Sequence, residues 1–436
     1  MPKIIPLEKI EKIIDIPPDK SISHRAVMIS CLSEGQTEVS PFLNSIDTLA
    51  SLDCMRKLGA KIEYLPKERK VFIEGRGIYF PKSSLVELHT QDSGTTMRLL
   101  SGILAGQRFS SLLNCGHSLH RRPMKRITVP LRMMGANVKG RSKNNEEYPP
   151  LQIEPVEKLY SIDYKMTIGS AQVKSAIIFA SLYSEGVTKI RELFLTRDHT
   201  ERMLAFFKGK IKKQGRLIIC KKSRLISPQQ IFIPGDFSSA SFFIVLGLIL
   251  RDSQLLIKNI GINPTRIGLL KVLKRMGANL KIFNKRDYFE PYADILVKSS
   301  FLKGVEVNEE EVPLMIDEIP ILLVAASFAE GETVVYGAKE LKVKETDRIN
   351  SMVTNLKKAG VEIKAESYGT EKNWMIIVKG SRRFKQAKFH TFLDHRTAMS
   401  LIIFSLASGK ENYIDEVKSI NKSFPEFLPL INSLYS

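Results

Sequence analysis

Positively charged residues at the beginnings of apolar helical segments are the first features of this chain that suggest chemistry. A cation in the first two turns of a helix opposes the helix macrodipole, unless an anion binds at the same helix end. Capping by Ser, Thr or Asp explains polar residues at these positions, but it does not explain cations. The sequence therefore predicts anion-binding sites at helix N-termini. The cations concerned are Lys20, Arg25, Arg98, Lys174 and Arg396.

Four other short segments combine cations with polar or acidic residues. Each of them alone would be interpreted as a solvated surface turn. Together with the helix starts, they predict a site for substrates that carry several negative charges. The segments are Arg-Arg-Pro-Met-Lys (121–125), Thr-Arg-Asp-His (196–199), Lys-Val-Lys-Glu-Thr-Asp-Arg (342–348) and Asn-Lys-Ser-Phe-Pro (421–425).

The helices that these cations begin belong to a repeated unit. Each copy has an apolar helix, a turn of small or charged residues and a short strand, and the copies recur every ~65–80 residues. A second helix that ends in a glycine turn is present in at least four copies, at 58–60, 134–136, 276–278 and 359–361. Six copies in register are too many for a chance similarity. The six segments are 26–39, 99–110, 176–190, 241–257, 322–335 and 399–414.

The repeats predict an α/β fold, of the α+β repeat type, with two similar domains of three units each. A chain of 436 residues is too long for one compact core. We expect the first domain at residues 19–235, and the second at 236–436 with the segment 1–18 returning to complete it. Two crossings of the chain would form a hinge with an interdomain cleft, which is a usual place for a ligand.

The composition, with 43% hydrophobic and 26% charged residues, is typical of a globular protein. The longest apolar stretches, 240–250 and 319–329, reach about half of the ~20 residues that a membrane span needs, so we expect no membrane association. Charged residues within 3–12 leave no uncharged core for a signal peptide. Four scattered cysteines without CxxC spacing favour a reducing compartment and argue against structural zinc. We therefore expect a cytoplasmic protein.

The net charge of +20 is compatible with more than one interpretation. A generally basic, solvated surface is the simplest. A nucleic-acid surface, or a cleft that attracts small polyanions, would also account for it. The sequence lacks the signatures of RRM, KH and helix-turn-helix domains, and it has few aromatic residues among its basic runs, so we expect no nucleic-acid partner.

Ten short motifs carry a resemblance to a known family. They are Asp-Lys-Ser-Ile-Ser-His-Arg (19–25), Ser-Gly-Thr-Thr-Met-Arg (93–98), Arg-Pro-Met (122–124), Gly-Ser-Ala-Gln-Val-Lys-Ser-Ala (169–176), Arg-Asp-His-Thr-Glu-Arg-Met (197–203), Gly-Asp-Phe-Ser-Ser-Ala (235–240), Asp-Glu-Ile-Pro (317–320), Lys-Glu-Thr-Asp-Arg (344–348), Asp-His-Arg (394–396) and Lys-Ser-Phe-Pro (422–425). These motifs, in the order in which they follow one another, resemble those of 5-enolpyruvylshikimate-3-phosphate (EPSP) synthases. The resemblance runs from about residue 15 to the C-terminus. The resemblance implies two domains of three βαβαββ units each, a fold called an inside-out α/β barrel.

The resemblance also implies an activity and a set of site residues. The family transfers the enolpyruvyl group of phosphoenolpyruvate to the 5-hydroxyl of shikimate 3-phosphate, with release of phosphate. The residues that would bind shikimate 3-phosphate are Lys20, Ser21, Arg25, Ser170, Ala171, Gln172, Thr196, Asp317 and Lys344. Those that would bind phosphoenolpyruvate are Lys20, Gly94, Arg122, Gln172, Arg348, Arg396 and Lys422.

The reaction needs a positioned acid and a positioned base, because a methylene carbon gains a proton while a hydroxyl loses one. The resemblance implies Asp317 and Glu345 for these roles, with Lys20 as a third catalytic residue. Because Lys344 and Arg348 lie within three residues of Glu345 in sequence, Glu345 should be ionised, so an acid role requires burial or proton sharing. Nothing in this chemistry calls for a metal or an organic cofactor, and the chain has no HExxH ligand pattern. We expect a monomer whose partners are the two substrates.

Some positions depart from the pattern of the family. Pro18 stands where Gly usually precedes the first motif, and Gln91 and Asp92 stand where the family has Gly-Asn. The Asp92 carboxylate could cap the following helix, but it would also repel a bound phosphate. We therefore expect a weaker affinity for phosphoenolpyruvate than in an Asp92→Asn variant. The segment 116–122 is also one residue short, with His117 in place of an Asp.

A sister family is an alternative within the same chemistry. UDP-N-acetylglucosamine enolpyruvyl transferases share the fold and use a Cys in a loop ahead of an Arg-Pro pair, and Cys115 lies in that region. The Gly-Gly-Cys context of that family is absent here. Ser21, Gln172 and Lys344 fit shikimate 3-phosphate instead. We expect Cys115 to be a small buried residue.

Overall fold

The computed structural model describes residues 1–369 and 373–435. The chain divides into two compact units. The first unit is Pro18–Ile233, and the second unit is Met1–Pro17 together with Pro234–Ser436. Within the described residues, no helix combines the length and the apolar character needed to cross a membrane.

The helices alternate with strands along the whole chain. The α-helices are α1 Lys20–Leu32, α2 Ile46–Lys57, α3 Gly94–Leu104, α4 Lys125–Met133, α5 Ala171–Ser181, α6 His199–Phe206, α7 Phe237–Ile249, α8 Gly268–Arg275, α9 Ile319–Ser327, α10 Arg348–Lys358, α11 His395–Ala407 and α12 Phe427–Asn432. Short 3₁₀ turns lie at Leu119–Arg121, Val312–Leu314, Ala338–Val343 and Lys418–Lys422.

The strands are short, as expected for small sheets. They are β1 Lys3–Ile4, β2 Glu11–Asp15, β3 Glu34–Ser40, β4 Lys61–Leu65, β5 Lys70–Arg76, β6 Val86–His89, β7 Ser111–Asn114, β8 Asn137–Lys143, β9 Glu146–Glu154, β10 Leu159–Tyr160, β11 Asp163–Lys165, β12 Ser184–Glu185, β13 Val187–Arg191, β14 Ile211–Gln214, β15 Leu217–Lys221, β16 Gln230–Phe232, β17 Gln254–Gly261, β18 Asn279–Arg286, β19 Tyr292–Lys298, β20 Glu306–Val307, β21 Glu332–Val335, β22 Glu362–Tyr368, β23 Asn373–Lys379, β24 Lys388–Phe389 and β25 Asn412–Ile414.

Five four-stranded sheets share one topology. In each, an outer strand is parallel to its neighbour and two antiparallel strands follow, as in the order β6-β7-β9-β8. In chain order this sheet and its helices read β6-α3-β7-α4-β8-β9, which is a βαβαββ unit. A sixth sheet keeps the parallel pair β24 and β25 and adds β1. The predicted α/β fold of repeated units is therefore confirmed.

Two of the outer strands come from a distant part of the sequence. Strand β2 precedes α1 in the chain, but it pairs in parallel with β17 of the second unit, with Ile13 opposite Leu256. Strand β16, at the end of the first unit, pairs instead with β3, with Ile231 opposite Val39. Each unit is thus completed by a strand that lies far away in sequence from the rest of its sheet.

Three helices form the centre of each unit, and they are buried on nearly every side. Every residue of α7 and α9 is buried, and α11 is buried except at its last residue. In the first unit α1, α3 and α5 are buried along almost their whole length. A helix that is apolar on all faces belongs in a core, with the sheets outside it. The charged side chains of these six helices accordingly all lie in the first two turns.

The turns after the second helix of each repeat explain why glycine recurs there. Gly59, Gly135, Gly277 and Gly360 all have positive φ, which a residue without Cβ adopts at no steric cost. In the third repeat Lys208 takes this conformation with φ of 62°, and the sequence pattern missed that copy for this reason.

Close packing of α3 against α5 depends on one glycine. A Cβ on Gly102 would lie 2.1 Å from the Ala176 carbonyl oxygen. We predict that Gly102→Ala destabilises the first unit by about 2–3 kcal/mol, because the two helices would have to move apart. Chemical denaturation would measure this. Gly261→Ala is the matched control, since its Cβ would meet nothing nearer than 3.5 Å. Equal stabilities of the two variants would contradict the prediction.

Candidate active site

The starts of three helices meet around Lys20 in the first unit. Asp19 caps α1 by accepting a hydrogen bond from the Ile22 amide, so that Lys20 is the first helical residue. The Lys20 ammonium lies 2.5 Å from Oδ2 of Asp47, in the first turn of α2. Thr96 Oγ1, at the start of α3, lies 3.4 Å from the Asp47 carbonyl oxygen. A cation is thus held at a convergence of positive helix ends.

Gly94 lies directly against two arginines. It is the first residue of α3, and Ser93 caps the helix by accepting from the Thr96 amide. A Cβ on Gly94 would lie 2.8 Å from Nη1 of Arg122 and 3.2 Å from Nη1 of Arg98. Both guanidinium groups are largely buried. Free amides at a helix start beside two arginines form a strongly anion-attracting environment.

The start of α5 is tied to the start of α3 by Gln172. Its amide nitrogen donates to Thr95 Oγ1 at 2.9 Å, and its carbonyl oxygen accepts from Arg98 at 2.6 Å. Ser170 caps α5 by accepting from the Val173 amide, and Ala171 is the first helical residue. The structure therefore brings the predicted residues 170–172 next to the start of the helix that begins at Gly94.

Arg25 is turned into the interior of the first unit. Its Nε donates to Thr200 Oγ1 at 2.7 Å, one terminal nitrogen donates to the Ser21 carbonyl oxygen at 2.9 Å, and the other donates to Ser175 Oγ at 3.0 Å. The residue is 3% exposed. These contacts connect α1 to α5 and α6.

Lys174 does not serve an anionic ligand as the sequence had suggested for the cations at helix starts. Its side chain is fully buried and forms ion pairs with Glu192 at 2.8 Å and with Glu201 at 2.7 Å. Burial alone would lower the pKa of Lys174, but the two carboxylates outweigh it and raise the pKa. This cation compensates internal negative charge, so that part of the prediction is wrong.

Glu192 also holds Thr196. One carboxylate oxygen accepts from the Thr196 amide at 3.0 Å and from its hydroxyl at 2.5 Å. Because a hydroxyl has a single hydrogen, Thr196 Oγ1 in this arrangement offers a ligand only its lone pairs.

In the second unit, Arg348 is surrounded by three carboxylates. Its Nε donates to Asp394 at 2.9 Å, Nη1 to Asp317 at 3.1 Å, and Nη2 to Glu345 at 2.5 Å. The arginine is the first residue of α10, and Asp394 is the cap of α11. Although burial opposes it, the carboxylates raise the pKa of Arg348. The cluster joins residues that are up to 77 positions apart in sequence (317 to 394).

Arg396 and Arg266 extend this network. Arg396 donates to the Asp317 carbonyl oxygen at 3.2 Å, and its Nε is 3.7 Å from the Asp317 carboxylate. Arg266 contacts Glu318 at 2.8 Å and Asp236 at 3.2 Å. The helix starts of the second unit therefore carry arginines together with carboxylates, whereas cations dominate in the first unit.

Lys344 and Lys422 lie at the C-terminal ends of two 3₁₀ turns of the second unit. Lys344 follows Ala338–Val343, and Lys422 ends Lys418–Lys422. Burial lowers the pKa of Lys344 to about 8, and the charge of Arg348 acts in the same direction, while the carboxylates of Asp317, Glu345 and Glu340 oppose it. Lys344 therefore carries only a partial charge slightly above neutral pH.

Asp92 does not cap α3, because Ser93 does. Its carboxylate instead accepts hydrogen bonds from the amides of Ser118 and Leu119, at 3.0 and 3.2 Å. Of the two roles that the sequence left open for Asp92, the structure does not show the capping of α3. Among residues 1–369 and 373–435, no group of three or more His, Cys, Asp or Glu side chains is arranged to hold a metal ion.

Comparison with known proteins places the chain in a family. Residues 4–431 match the family described as EPSP synthase (3-phosphoshikimate 1-carboxyvinyltransferase). The chain belongs to the EPSP synthase family. The 3-phosphoshikimate 1-carboxyvinyltransferase of Petrotoga mobilis is 44% identical over 440 residues, which cover 100% of this chain and 99% of that protein. The protein of the same name from Thermoanaerobacter pseudethanolicus is 43% identical over 423 residues, 97% of each chain.

Solved structures agree with this assignment. The EPSP synthase from Acinetobacter baumannii superposes with a TM-score of 0.85 at 40% identity, covering 99% of this chain and 97% of that one. The enolpyruvyl transferase NikO from Streptomyces tendae has a TM-score of 0.77 at 13% identity and covers 99% and 97% of the two chains, so it shares the fold. The fold that the sequence resemblance implied is confirmed.

Cys115, the residue that suggested the sister family, lies in a buried environment. It is 6% exposed, and burial together with the nearby charge of Asp92 raises its pKa to about 12, against a smaller opposite effect of Arg141. Such a thiol is protonated at neutral pH and is a poor nucleophile. The burial agrees with the expectation of a small interior residue.

Sequence reasoning missed several partners of the predicted residues. Asp47, Asp394, Glu318 and Glu192 contact predicted site residues, which are Lys20, Arg348, Arg396 and Thr196 in the same order. Arg266 in turn contacts Glu318. The only available signal was that Asp394 and Glu318 lie inside two of the motifs. Asp47, Arg266 and Glu192 come from segments without a recognisable pattern, and only folding brings them close.

The lowered pKa of Lys344 predicts a pH dependence. The resemblance assigns this lysine to shikimate 3-phosphate, and an ammonium attracts that anion whereas a neutral amine does not. We predict that the affinity falls about 25-fold as the pH rises from 7.5 to 9.5, because the protonated fraction of a group with a pKa of about 8 falls by that factor. Calorimetric titration would measure it.

Lys344→Arg should remove most of this pH dependence, because a guanidinium stays charged throughout the range. Lys339→Arg, at an exposed position five residues earlier, is the control and should keep it. The same pH profile in Lys344→Arg and in the unmodified chain would refute the role of Lys344.

Proposed function

We propose that this chain transfers the enolpyruvyl group of phosphoenolpyruvate to the 5-hydroxyl of shikimate 3-phosphate, giving EPSP and inorganic phosphate. Membership of the EPSP synthase family over residues 4–431 supports the proposal. The relatives at 41–44% identity carry the name of this activity.

The observation that carries the proposal is that Asp317 and Glu345 both accept hydrogen bonds from the guanidinium group of Arg348. The two carboxylates lie on the two terminal nitrogens of one buried guanidinium. Such a fork is the preferred partner of a bidentate carboxylate. A substrate carboxylate that bound Arg348 would compete with both side chains, and it would leave Asp317 and Glu345 beside the reacting atoms. The site would then contain an acid–base pair in the presence of substrate.

The proposed reaction proceeds by addition and elimination. The 5-hydroxyl oxygen bonds to C2 of phosphoenolpyruvate and loses its proton to Asp317, while the methylene carbon gains a proton from Glu345. The tetrahedral intermediate then breaks its bond to the bridging oxygen, which leaves with the phosphate and takes the proton held by Asp317. The methyl carbon returns a proton to Glu345, which restores the double bond. Displacement of Glu345 from Arg348 raises its tendency to hold a proton, which an acid role requires.

The other site residues are assigned as the family resemblance implies. Lys20, Ser21, Arg25, residues 170–172, Thr196, Asp317 and Lys344 would bind shikimate 3-phosphate, with Lys20 and Gln172 in contact with both substrates. Gly94, Arg122 and Lys422 would bind the phosphate of phosphoenolpyruvate, and Arg348 and Arg396 its carboxylate. The proximity of Gly94 and Arg122 supports the phosphate assignment.

We also propose that the chain acts in the cytoplasm as a monomer of two domains, without a metal, an organic cofactor or a nucleic-acid partner. The four cysteines are all free and buried, which suits a reducing compartment. Light scattering in solution would test the monomer, and a mass near twice 49.3 kDa would contradict it.

The activity is tested by the choice of acceptor. We predict that phosphate release from phosphoenolpyruvate requires shikimate 3-phosphate and does not occur with UDP-N-acetylglucosamine. Asp317→Asn and Glu345→Gln should each lower turnover by about 100-fold or more, because proton transfer contributes that much. Glu332→Gln, an exposed residue of β21, is the control. If phosphate were released with UDP-N-acetylglucosamine as the acceptor and not with shikimate 3-phosphate, the chain would have the activity of the sister family and the proposal would be wrong.

The contact of Gly94 with Arg122 generates a second prediction. A methyl group at position 94 would lie 2.8 Å from the Arg122 guanidinium, so the arginine would have to shift. Gly94→Ala should therefore raise the Michaelis constant for phosphoenolpyruvate by about tenfold and change that for shikimate 3-phosphate little. Steady-state kinetics with each substrate varied would measure both. Equal increases in the two constants would contradict the assignment of Gly94.

A further inference from the structure

We propose that Asp92 is a positioning residue that holds the turn carrying Arg122 in place against Gly94. The inference rests on the proposed role of Arg122 in binding the phosphate of phosphoenolpyruvate. It differs from the expectation based on charge alone, in which Asp92 acts only by repelling that phosphate.

The Asp92 carboxylate binds the turn through its backbone. Oδ1 accepts from the amides of Ser118 and Leu119 at 3.0 and 3.2 Å, from 26 and 27 residues away in sequence. These amides stand at the start of the 3₁₀ turn Leu119–Arg121, for which no side chain of the turn itself provides a cap. Asp92 therefore does for this turn what an N-cap residue does for a helix.

The same turn is held to the strand end before Asp92 by backbone hydrogen bonds. The Gly116 amide donates to the Gln91 carbonyl oxygen at 2.8 Å, and the Thr90 amide donates to the Asn114 carbonyl oxygen at 2.9 Å. Gln91 has φ of 51°, which turns the chain so that the next side chain faces the turn. Residues 90–92 and 114–119 are thus joined both by backbone hydrogen bonds and by the Asp92 side chain.

Gly116 allows the carboxylate to approach closely. A Cβ at this position would lie 2.6 Å from Asp92 Oδ1 and 2.9 Å from its carboxyl carbon. Any side chain at 116 would displace the carboxylate from the two amides. The φ of Gly116 is not positive, so an alanine there would disturb this contact without backbone strain.

The turn leads directly to Arg122. The Arg122 amide donates to the Leu119 carbonyl oxygen at 3.0 Å, so the arginine is the residue that ends the capped turn. Its guanidinium lies against Gly94, at the start of α3. A shift of the turn would therefore move the guanidinium relative to the α3 amides, the two groups proposed to bind one phosphate.

Asp92 then has two effects of opposite sign on phosphoenolpyruvate. Its negative charge weakens the binding of phosphate, and its hydrogen bonds keep Arg122 in position. Asparagine removes the charge but keeps an oxygen that can accept from both amides. Alanine removes both. The comparison of Asp92→Ala with Asp92→Asn therefore isolates positioning, because the two variants have the same charge.

The test is steady-state kinetics of these variants with each substrate varied. We expect Asp92→Asn to lower the Michaelis constant for phosphoenolpyruvate about threefold relative to the unmodified chain. Asp92→Ala should have a constant about fivefold higher than Asp92→Asn, as the loss of a cap implies. The Michaelis constant for shikimate 3-phosphate should stay within about twofold in both, because a local shift of Arg122 affects one substrate.

Gly116→Ala is an independent test that leaves the charge unchanged. It should raise the Michaelis constant for phosphoenolpyruvate about fivefold by displacing the carboxylate. Asp163→Asn, which removes an exposed carboxylate paired with Arg191, is the control for charge and should change neither constant. Equal constants for phosphoenolpyruvate in Asp92→Ala and Asp92→Asn, or parallel increases for both substrates, would overturn the proposal.

Deuterium exchange separates this proposal from the proposed function. The amides of residues 116–122 should exchange faster in Asp92→Ala and Gly116→Ala than in Asp92→Asn, whatever reaction the protein catalyses. If the unmodified chain did not turn over shikimate 3-phosphate, the proposed function would fail while this measurement still tested the contact. Identical exchange in all three variants would show that Asp92 does not hold the turn.

Discussion

The burial of three apolar helices in the centre of each unit decides where this protein can place polar chemistry. A helix surrounded by other side chains on every face has no room for charged groups along its length, so these groups are confined to its ends. The first amides of each helix also need partners, which side chains or a ligand must provide. Every residue proposed to act on substrate accordingly lies at a helix start or in a turn beside one.

The two units use this constraint differently. In the first unit, Lys20, Arg98 and Arg122 approach helix starts that already attract anions. In the second unit, Arg266, Arg348 and Arg396 approach helix starts together with Asp236, Asp317, Glu318, Glu345 and Asp394. Carboxylates outnumber guanidinium groups here by five to three, and the guanidinium N–H groups donate hydrogen bonds to them in fixed directions. Such an environment suits proton transfer, whereas the first unit suits the binding of phosphate.

A buried charge lowers the stability of the folded state unless it has a partner of opposite charge. Removing one partner of a buried pair destabilises the fold more than replacing the whole pair by apolar residues does. The contacts of Arg348 with three carboxylates and of Lys174 with two follow from this rule. They differ in one respect that matters for function. The Lys174 cluster is closed to solvent, while Asp317 and Glu345 are 17% and 22% exposed at their side chains. Only the second cluster can exchange an internal partner for a ligand.

The sequence by itself determined the repeated unit, the fold class and the family. The hydrophobic period, the glycine turns and ten motifs are local patterns, and local patterns are readable without coordinates. Lys174 could not be assigned in this way, because a cation at a helix start looks the same whether it meets a ligand or a buried glutamate. The sequence likewise offered the nearest helix as one possible partner of Asp92, whereas its hydrogen bonds go to a turn 26 residues away. The exchange of β2 and β16 and the partners of Arg348 were decided only by tertiary structure, because long-range pairing depends on which segments the core brings together.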